Sequence, residues 1–539
     1  MIAERRTRFV ALGLILIVAL GWRLNNIGFG LPSMWDPDEP IFMIIPLRML
    51  TEGTFDPGWF GHPGSTVIYL VALIDAAVAG LGIASGRYPD AAAFAHAAFE
   101  NPAMLFIPAR VAMALIGTGT VWLTYLIGKR VQGTAAGLLA ALLLAINGLH
   151  IAWSQVIRTD IPASLFMLAC ILFSIRASEH GRLKDYLLAG AFAGLATATK
   201  WPAATVLLAI AGAAASRGFG RRDENSLLAA GGAFLGAMFV ASPFIFIDWQ
   251  TVLANVQGEA KPFHLAHTGA GFLSNLGFYL GGQIVGSMGW IGLIAVISGA
   301  VLIAMRSPAA RWILIPPTAA FLVLICAQHL IWSRWVLPVM PMFCIFAAAA
   351  AVRLAEAGRR AAPRLGPSVA VGIVAAALAA PSLASAVGQA RERANDTRGQ
   401  AARWAAMHIP PGSTVLLEHL ELSLRHQPWK FLFPVGEAGC IDGLKGLSSG
   451  VRLQQVERLR GSSPIVDIGN VRPDQLNSCH ADYVILTYYD LYRAEAGRFP
   501  KEVVNYETLL TRGRTVAIFE PRSGRIGGPV VRIVALATH

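Results

Sequence analysis

Charge is scarce in this chain of 539 residues. Asp, Glu, Lys and Arg supply 14% of it while 55% is hydrophobic, and the mean hydropathy is +0.55. An ordinary soluble domain carries nearer ~25% charged residues, so the shortage argues against a soluble protein. Cysteine is also rare, five in all. None falls in a CxxC or a Cys/His spacing, which removes the small zinc modules. No internal repeat is visible, as one would be in a transporter built from inverted halves. Residues 389–539 hold neither a glycine-rich phosphate loop nor a nucleophile elbow, so nothing there points to nucleotide or ester hydrolysis.

Apolar sequence is what abounds. Runs of ~20 residues, the length of a spanning helix, recur along the first 390 positions. Short basic loops separate them: Arg5, Arg6 and Arg8; Lys129 and Arg130; Arg176, Arg182 and Lys184; Arg217, Arg221 and Arg222; Arg306 and Arg311; Arg353, Arg359, Arg360 and Arg364. The positive-inside rule makes these loops cytoplasmic. The net charge of +12 then reflects topology rather than nucleic-acid binding.

Residues 9–29 follow a basic N-terminus with no small-residue cleavage site, so they read as an uncleaved anchor with a cytoplasmic N-terminus. Further spans are expected near 104–127, 133–151, 161–176, 186–199, 202–216, 226–246, 284–305, 312–329, 335–352 and 367–388, eleven in all, which leaves the tail outside. The run 64–85, "GSTVIYLVALIDAAVAGLGIAS", is also long enough to span. Crossing there would turn every later basic loop outward, so this run is expected to lie along, or dip into, the outer leaflet. The expected fold is an α-helical polytopic membrane protein, residues 1–388, with a C-terminal soluble α/β domain, residues 389–539.

In the tail, residues 392–408 read as a helix, "PPGS" as a turn, and "TVLLE", "ADYVILTYY", "RTVAIFE" and "PVVRIVALA" as strands. Cys170, Cys326 and Cys344 lie in spans and suit packing. Cys440 and Cys479 lie in the tail, where an oxidising compartment favours a disulfide; two separately buried thiols are the alternative.

The loops assigned to the outside hold isolated bases, Arg48, Arg87, Arg110, Arg158, Lys200, Lys261 and Arg334. They also hold most of the acids, including Asp36, Asp38, Glu39, Asp160, Asp248 and Glu259. Lone charges at helix ends on one face of a membrane suggest a site. The stretch "WDPDEPIF", residues 35–42, places three carboxylates within four positions. One reading is a general base that takes the proton of an attacking hydroxyl, with nearby cations receiving the charge of a phosphate leaving group. Helix capping and a divalent cation site are the other readings. In "EAKPFHLAHTG", His264 and His267 have a spacing that suits one helical face. Zinc usually needs further ligands, so sugar or acceptor contact, or simple loop polarity, is the expectation.

These pieces occur in a familiar order. "DPDEPIF", "FGHPGSTVIYLVAL", "PARVAMALIGTGTVWLTYLIGKR", "IRTDIPASLF", "DYLLAGAFAGLATATKWPA" and "SRWVLPVMP" resemble the polytopic C-type glycosyltransferases that include protein O-mannosyltransferases and lipid A aminoarabinose transferases. The resemblance covers about residues 8–355 and leaves the tail unassigned. It implies that Asp38 and Glu39 are the catalytic acidic pair, with the aspartate as base. It implies substrate contacts for His62, Arg110, Asp160, Lys200 and Arg334, with Arg110 on the donor phosphate; Arg158 joins them as a neighbouring outer-loop base. The chain departs from the aminoarabinose transferases at Gly61-His62, where those carry Glu-Lys, and a single proline follows His62 where the mannosyltransferases usually show two.

The expected function is inverting transfer of a sugar from a polyprenyl-phosphate donor to a lipid, glycan or protein hydroxyl, at the outer face of a bacterial inner membrane. No cofactor is expected beyond a possible divalent cation, and no nucleic-acid partner. The alternatives are a lipid-linked glycan transporter or flippase, and a ligase that moves a whole lipid-linked glycan.

Overall fold

The computed structural model describes residues 2–361, 367–418, 422–443, 445 and 466–536; Arg364 of the last basic loop falls outside them. The chain divides into two compact units. The first comprises Met1–Ile27, Asp38–Pro262 and Gly269–Val387, and the second Gly28–Pro37, Phe263–Thr268 and Gly388–His539.

The first unit is a bundle of apolar helices. Among the described residues, nine are long and apolar enough to cross a membrane, and Thr134–Ala145 and Trp201–Ser216 are shorter apolar helices. The nine include Ser65–Ala84, which was expected not to cross, and not the 17-residue helix Leu183–Thr199 at the span expected over 186–199; some helices begin elsewhere than expected. The helix expected from 226 starts at Arg221, because the Asp223 carboxylate accepts the Gly220 N–H at 3.3 Å and so caps a charged first turn. Small residues let helices meet closely. Gly190 and Gly194 lie directly against the backbone of Ala230 and Phe234 on the Arg221–Ala241 helix, where a Cβ would not fit. Cys170, Cys326 and Cys344 are buried, as packing residues are.

The bundle has two distinguishable ends. At one, the basic loops pair with acids: Arg130 with Glu179 at 2.6 Å, Arg176 with Asp185 at 3.0 Å, and Arg217 with Asp223 at 3.0 Å. At the other end Asp38, Arg158, Lys200 and Arg334 gather. The Ala103–Gln132 helix joins the two, with Arg110 near its start and Arg130 in its last turn.

The helix Ser65–Ala84 behaves differently. At its start the Gly64 N–H donates to Thr199 O at 3.2 Å, beside Lys200. Near its end the Tyr88 ring packs on Gly82, and the Tyr88 hydroxyl reaches Met104 Sδ at 3.6 Å. Met104 lies in the first turn of the Ala103–Gln132 helix. Both ends of Ser65–Ala84 thus meet elements at the Asp38 end of the bundle.

The second unit holds a six-stranded sheet: β1 Thr414–Leu417, β2 Lys430–Pro434, β3 Cys440–Asp442, β4 Tyr483–Leu486, β5 Gly513–Phe519 and β6 Val531–Leu536. Their order is β3-β2-β1-β4-β6-β5, with β1 parallel to β2 and β4 and the other pairings antiparallel. Successive strand residues face opposite ways. Val415 and Leu417 pack against Ala401, Ala402 and Ala405 of the Thr397–His408 helix. Leu416, Val484 and Leu486 pack with Tyr492, Val503 and Tyr506 on the other face. Burial on both faces is why "TVLL" and "YVIL" read as unbroken apolar runs. Cys440 and Cys479 form a disulfide with Cα atoms 4.8 Å apart, which decides between the two readings of that pair.

Candidate active site

Adjacent acids diverge at the start of the cluster. Asp38 and Glu39 precede the Ile41–Glu52 helix, which takes no side-chain cap, so neither carboxylate is spent on capping. Glu39 turns inward. Its oxygens accept from Arg110 Nε at 2.8 Å and Nη2 at 2.6 Å, and from the Ile157 N–H at 3.0 Å. Arg110 Nη1 donates to Ile27 O at 2.8 Å. Both side chains of this pair are 0% exposed. Arg110 is therefore enclosed, its guanidinium bonded to Glu39 and to Ile27 O.

Asp38 turns outward and is 41% exposed. Its Oδ2 meets Arg158 Nη2 at 2.5 Å and Arg334 Nη2 at 3.3 Å. Burial by the surrounding loops pushes its pKa up, but the charges of Arg158 and Arg334 outweigh this and hold it well below the usual carboxylate range. Arg158 sits at the turn that Glu39 fixes through Ile157, just before the Asp160–His180 helix. Arg334 belongs to the short Ser333–Val339 helix. Both guanidiniums lie 5.7 Å from the Trp153 ring, and Arg334 also lies 4.1 Å from the Trp332 ring. These aromatic faces attract the cations and set their aim. Nothing in the spacing of Trp153 and Trp332 singled them out; the aromatics flanking Arg334 in "IWSRW" were the available signal.

Lys200 and Asp160 form the second pair, Nζ to Oδ1 2.9 Å, with both side chains at most 5% exposed. Burial lowers the Lys200 pKa below the ordinary amine range; Arg334 and Arg158 add to this, and Asp160 opposes it. The His62 loop is stitched to Lys200 by backbone. Pro63 and Lys200 form a β-bridge, and the Trp201 N–H donates to His62 O at 3.2 Å. The His62 ring lies edge-on to Trp59 at 5.3 Å. Burial, then the charges of Lys200, Arg334 and Arg158, depress its pKa to about 3, so it is neutral near pH 7.

The structure thus brings together Asp38, His62, Arg158, Asp160, Lys200 and Arg334. His264 and His267 belong to the second unit, where their rings lie 5.6 Å apart and the Ala266 N–H between them bonds Glu495 at 2.9 Å. Among the described residues no three His, Cys, Asp or Glu side chains converge as metal ligands. The exposed Asp38 faces guanidiniums.

Comparison with known proteins follows the same lines. The family model described as dolichyl-phosphate-mannose-protein mannosyltransferase matches residues 97–247. ArnT from Cupriavidus metallidurans in the apo state is similar over 99% of this chain and 98% of its own, at 15% identity and a TM-score of 0.53. The archaeal oligosaccharyltransferase AglB from Archaeoglobus fulgidus, in complex with an inhibitory peptide and a dolichol-phosphate, is similar over 95% of this chain and 73% of its own, at 13% identity and a TM-score of 0.50. No curated protein sequence matches. The likeness to the solved structures shows the fold, a bundle of apolar helices with a small sheet-bearing domain later in the chain.

Proposed function

We propose that the chain transfers a sugar, with inversion, from a polyprenyl-phosphate donor to a hydroxyl of a lipid, glycan or protein acceptor. The observation that carries this reading is one half-exposed carboxylate, Asp38, held against two nearly buried guanidiniums. In the reaction, the acceptor oxygen bonds to the anomeric carbon from the side opposite the phosphate, and its proton passes to Asp38. The bond from that carbon to the phosphate oxygen breaks, and its electron pair leaves on the polyprenyl phosphate. Arg158 and Arg334 receive that charge in a recess where it is worth more than in water. A phosphate drawn between the two arginines competes with Asp38 for them, which raises the basicity of Asp38 when a donor is present. Lys200, braced by Asp160, adds a third cation, and neutral His62 lies beside it. The test is release of polyprenyl phosphate from labelled single-sugar donors by the reconstituted protein. Movement of intact donor between leaflets without cleavage would indicate a flippase, and release only from whole lipid-linked glycans a ligase.

Lys200 gives the reaction an alkaline limit. Its lowered pKa means that the cation is lost as pH rises, before the ordinary lysine value of ~10.4 is reached. The fall in kcat/KM should therefore begin below that value. Lys200→Arg keeps its charge and should move the limb to higher pH. A limb unchanged in Lys200→Arg would assign it to another group.

The reading places the site at the outer face of a bacterial inner membrane, with the basic loops in the cytoplasm. It is supported by the return of Ser65–Ala84 to the end of the bundle where it began, the path of a helix that does not cross. A cysteine placed at exposed Ala92 should react with a membrane-impermeant maleimide in intact spheroplasts. Reaction only after permeabilisation would show that this helix crosses. The other thiols interfere little, since three are buried and two are disulfide-bonded.

A further inference from the structure

Glu259 stands at the edge of the charged cluster without joining any of its ion pairs. It ends the Trp249–Glu259 helix. Asn255 of that helix accepts the Phe60 N–H at 2.7 Å, which ties the helix to the loop carrying His62. The tie brings the Glu259 side chain against Gly61: a Cβ at position 61 would lie 2.8 Å from Oε1 and 3.1 Å from Cγ. The residue is open to solvent, yet nearby atoms crowd its carboxylate enough to lift the pKa. The field of Asp38 adds to the lift, while Lys261, Arg334 and Lys200 oppose it. Among the described residues no hydrogen bond or ion pair closes on the carboxylate.

The same helix exposes Trp249, Leu253 and Val256, whose spacing sets them on one face. Such a face suits the boundary between headgroups and acyl chains, the level at which a lipid-linked phosphate also lies. A carboxylate at that level repels the phosphate itself. What it can bind is the donor's hydroxyl-bearing end, since a carboxylate accepts several hydrogen bonds at once.

We propose that Glu259 contacts the glycosyl group of the donor, accepting hydrogen bonds from its hydroxyls. The proposal rests on the sugar-transfer reading above. It also explains Gly61, whose missing side chain leaves the space the Glu259 carboxylate fills.

The test uses the full-length protein in nanodiscs, with a panel of undecaprenyl-phosphate-linked hexoses and undecaprenyl phosphate alone. The wild type should bind its preferred hexose donor more tightly than the bare lipid phosphate. Glu259→Ala should shrink that preference roughly ten- to hundredfold, the range for a hydrogen bond to a charged group, and raise the donor KM. Affinity for the bare lipid phosphate and the acceptor KM should hold. Glu259→Gln, which keeps one acceptor oxygen, should fall between. An undiminished preference in Glu259→Ala, an effect confined to the acceptor KM, or equal loss of both lipids through a displaced helix would each overturn the proposal. If the wild type releases no polyprenyl phosphate from any donor, the parent reading fails and this one with it. Normal wild-type turnover beside an unaltered Glu259→Ala sinks this one alone.

Discussion

Asp38→Asn is expected to lower kcat ~10²–10⁴-fold, the usual contribution of a positioned general base, with expression and insertion unchanged. Asparagine fills the same space but cannot take the acceptor's proton. The sign of its effect on binding is also set. Removing the carboxylate leaves Arg158 and Arg334 without the anion they now share, so the cleft becomes more positive and donor KM should stay level or fall. A drop in kcat with unimpaired donor binding separates a lost base from a damaged pocket. Purified Asp38→Asn protein with near-normal turnover would remove Asp38 from the chemistry.

Arg110→Ala should instead behave as a folding lesion. Removing one partner of a buried ion pair leaves the other charge uncompensated, at a cost of ~3–5 kcal/mol. Here Glu39 would lose both guanidinium bonds while its charge stays buried. The expected result is low yield and a large fall in Tm in detergent, while whatever folds keeps its donor KM. Glu39→Gln should show the same pattern more mildly, since the amide retains one acceptor oxygen. The pair Glu39→Leu with Arg110→Met should recover part of the loss, because apolar replacement of both partners removes the stranded charge. A stable Arg110→Ala protein with a raised donor KM would restore Arg110 to the phosphate.

Much of the bundle could be read from hydropathy, because a helix in lipid must be apolar along its whole length. Where the helices differ from that reading, local bonding decides: the charged "RRDEN" segment reads as a loop yet forms the first turns of a helix, because Asp223 caps it. In the tail β1, β4, β5 and β6 were legible as apolar or β-branched runs. β2 and β3 were not, since "KFLFP" ends in a proline and "CID" is too short to show alternation. The site was legible as a set of residue types on one face, but not as an arrangement. Asp38 and Glu39 are neighbours whose fates are set by partners far along the chain. The same holds for Arg110, whose motif position is unremarkable until Glu39 is seen against it. Glu259 was visible only as one more outer acid, because what marks it is Gly61, nearly 200 positions earlier.

The long separations within the site bear on how the protein is made. Arg110 follows Glu39 by 71 residues, whereas Arg334 follows Asp38 by 296. At a synthesis rate of ~5–20 residues per second, Glu39 waits about 4–14 s for its partner, and Asp38 about 15–60 s for the second of its two. The buried pair is thus completed early, while the nascent chain is still threading, and fixes the turn that will present Arg158. Asp38 can meet Arg158 once that residue is made, but its second cation, Arg334, arrives only when nearly all the helices have been synthesised. A chain stalled before residue 334 therefore carries Asp38 with Arg158 but without Arg334, so on the proposed reading the site is incomplete in unfinished copies.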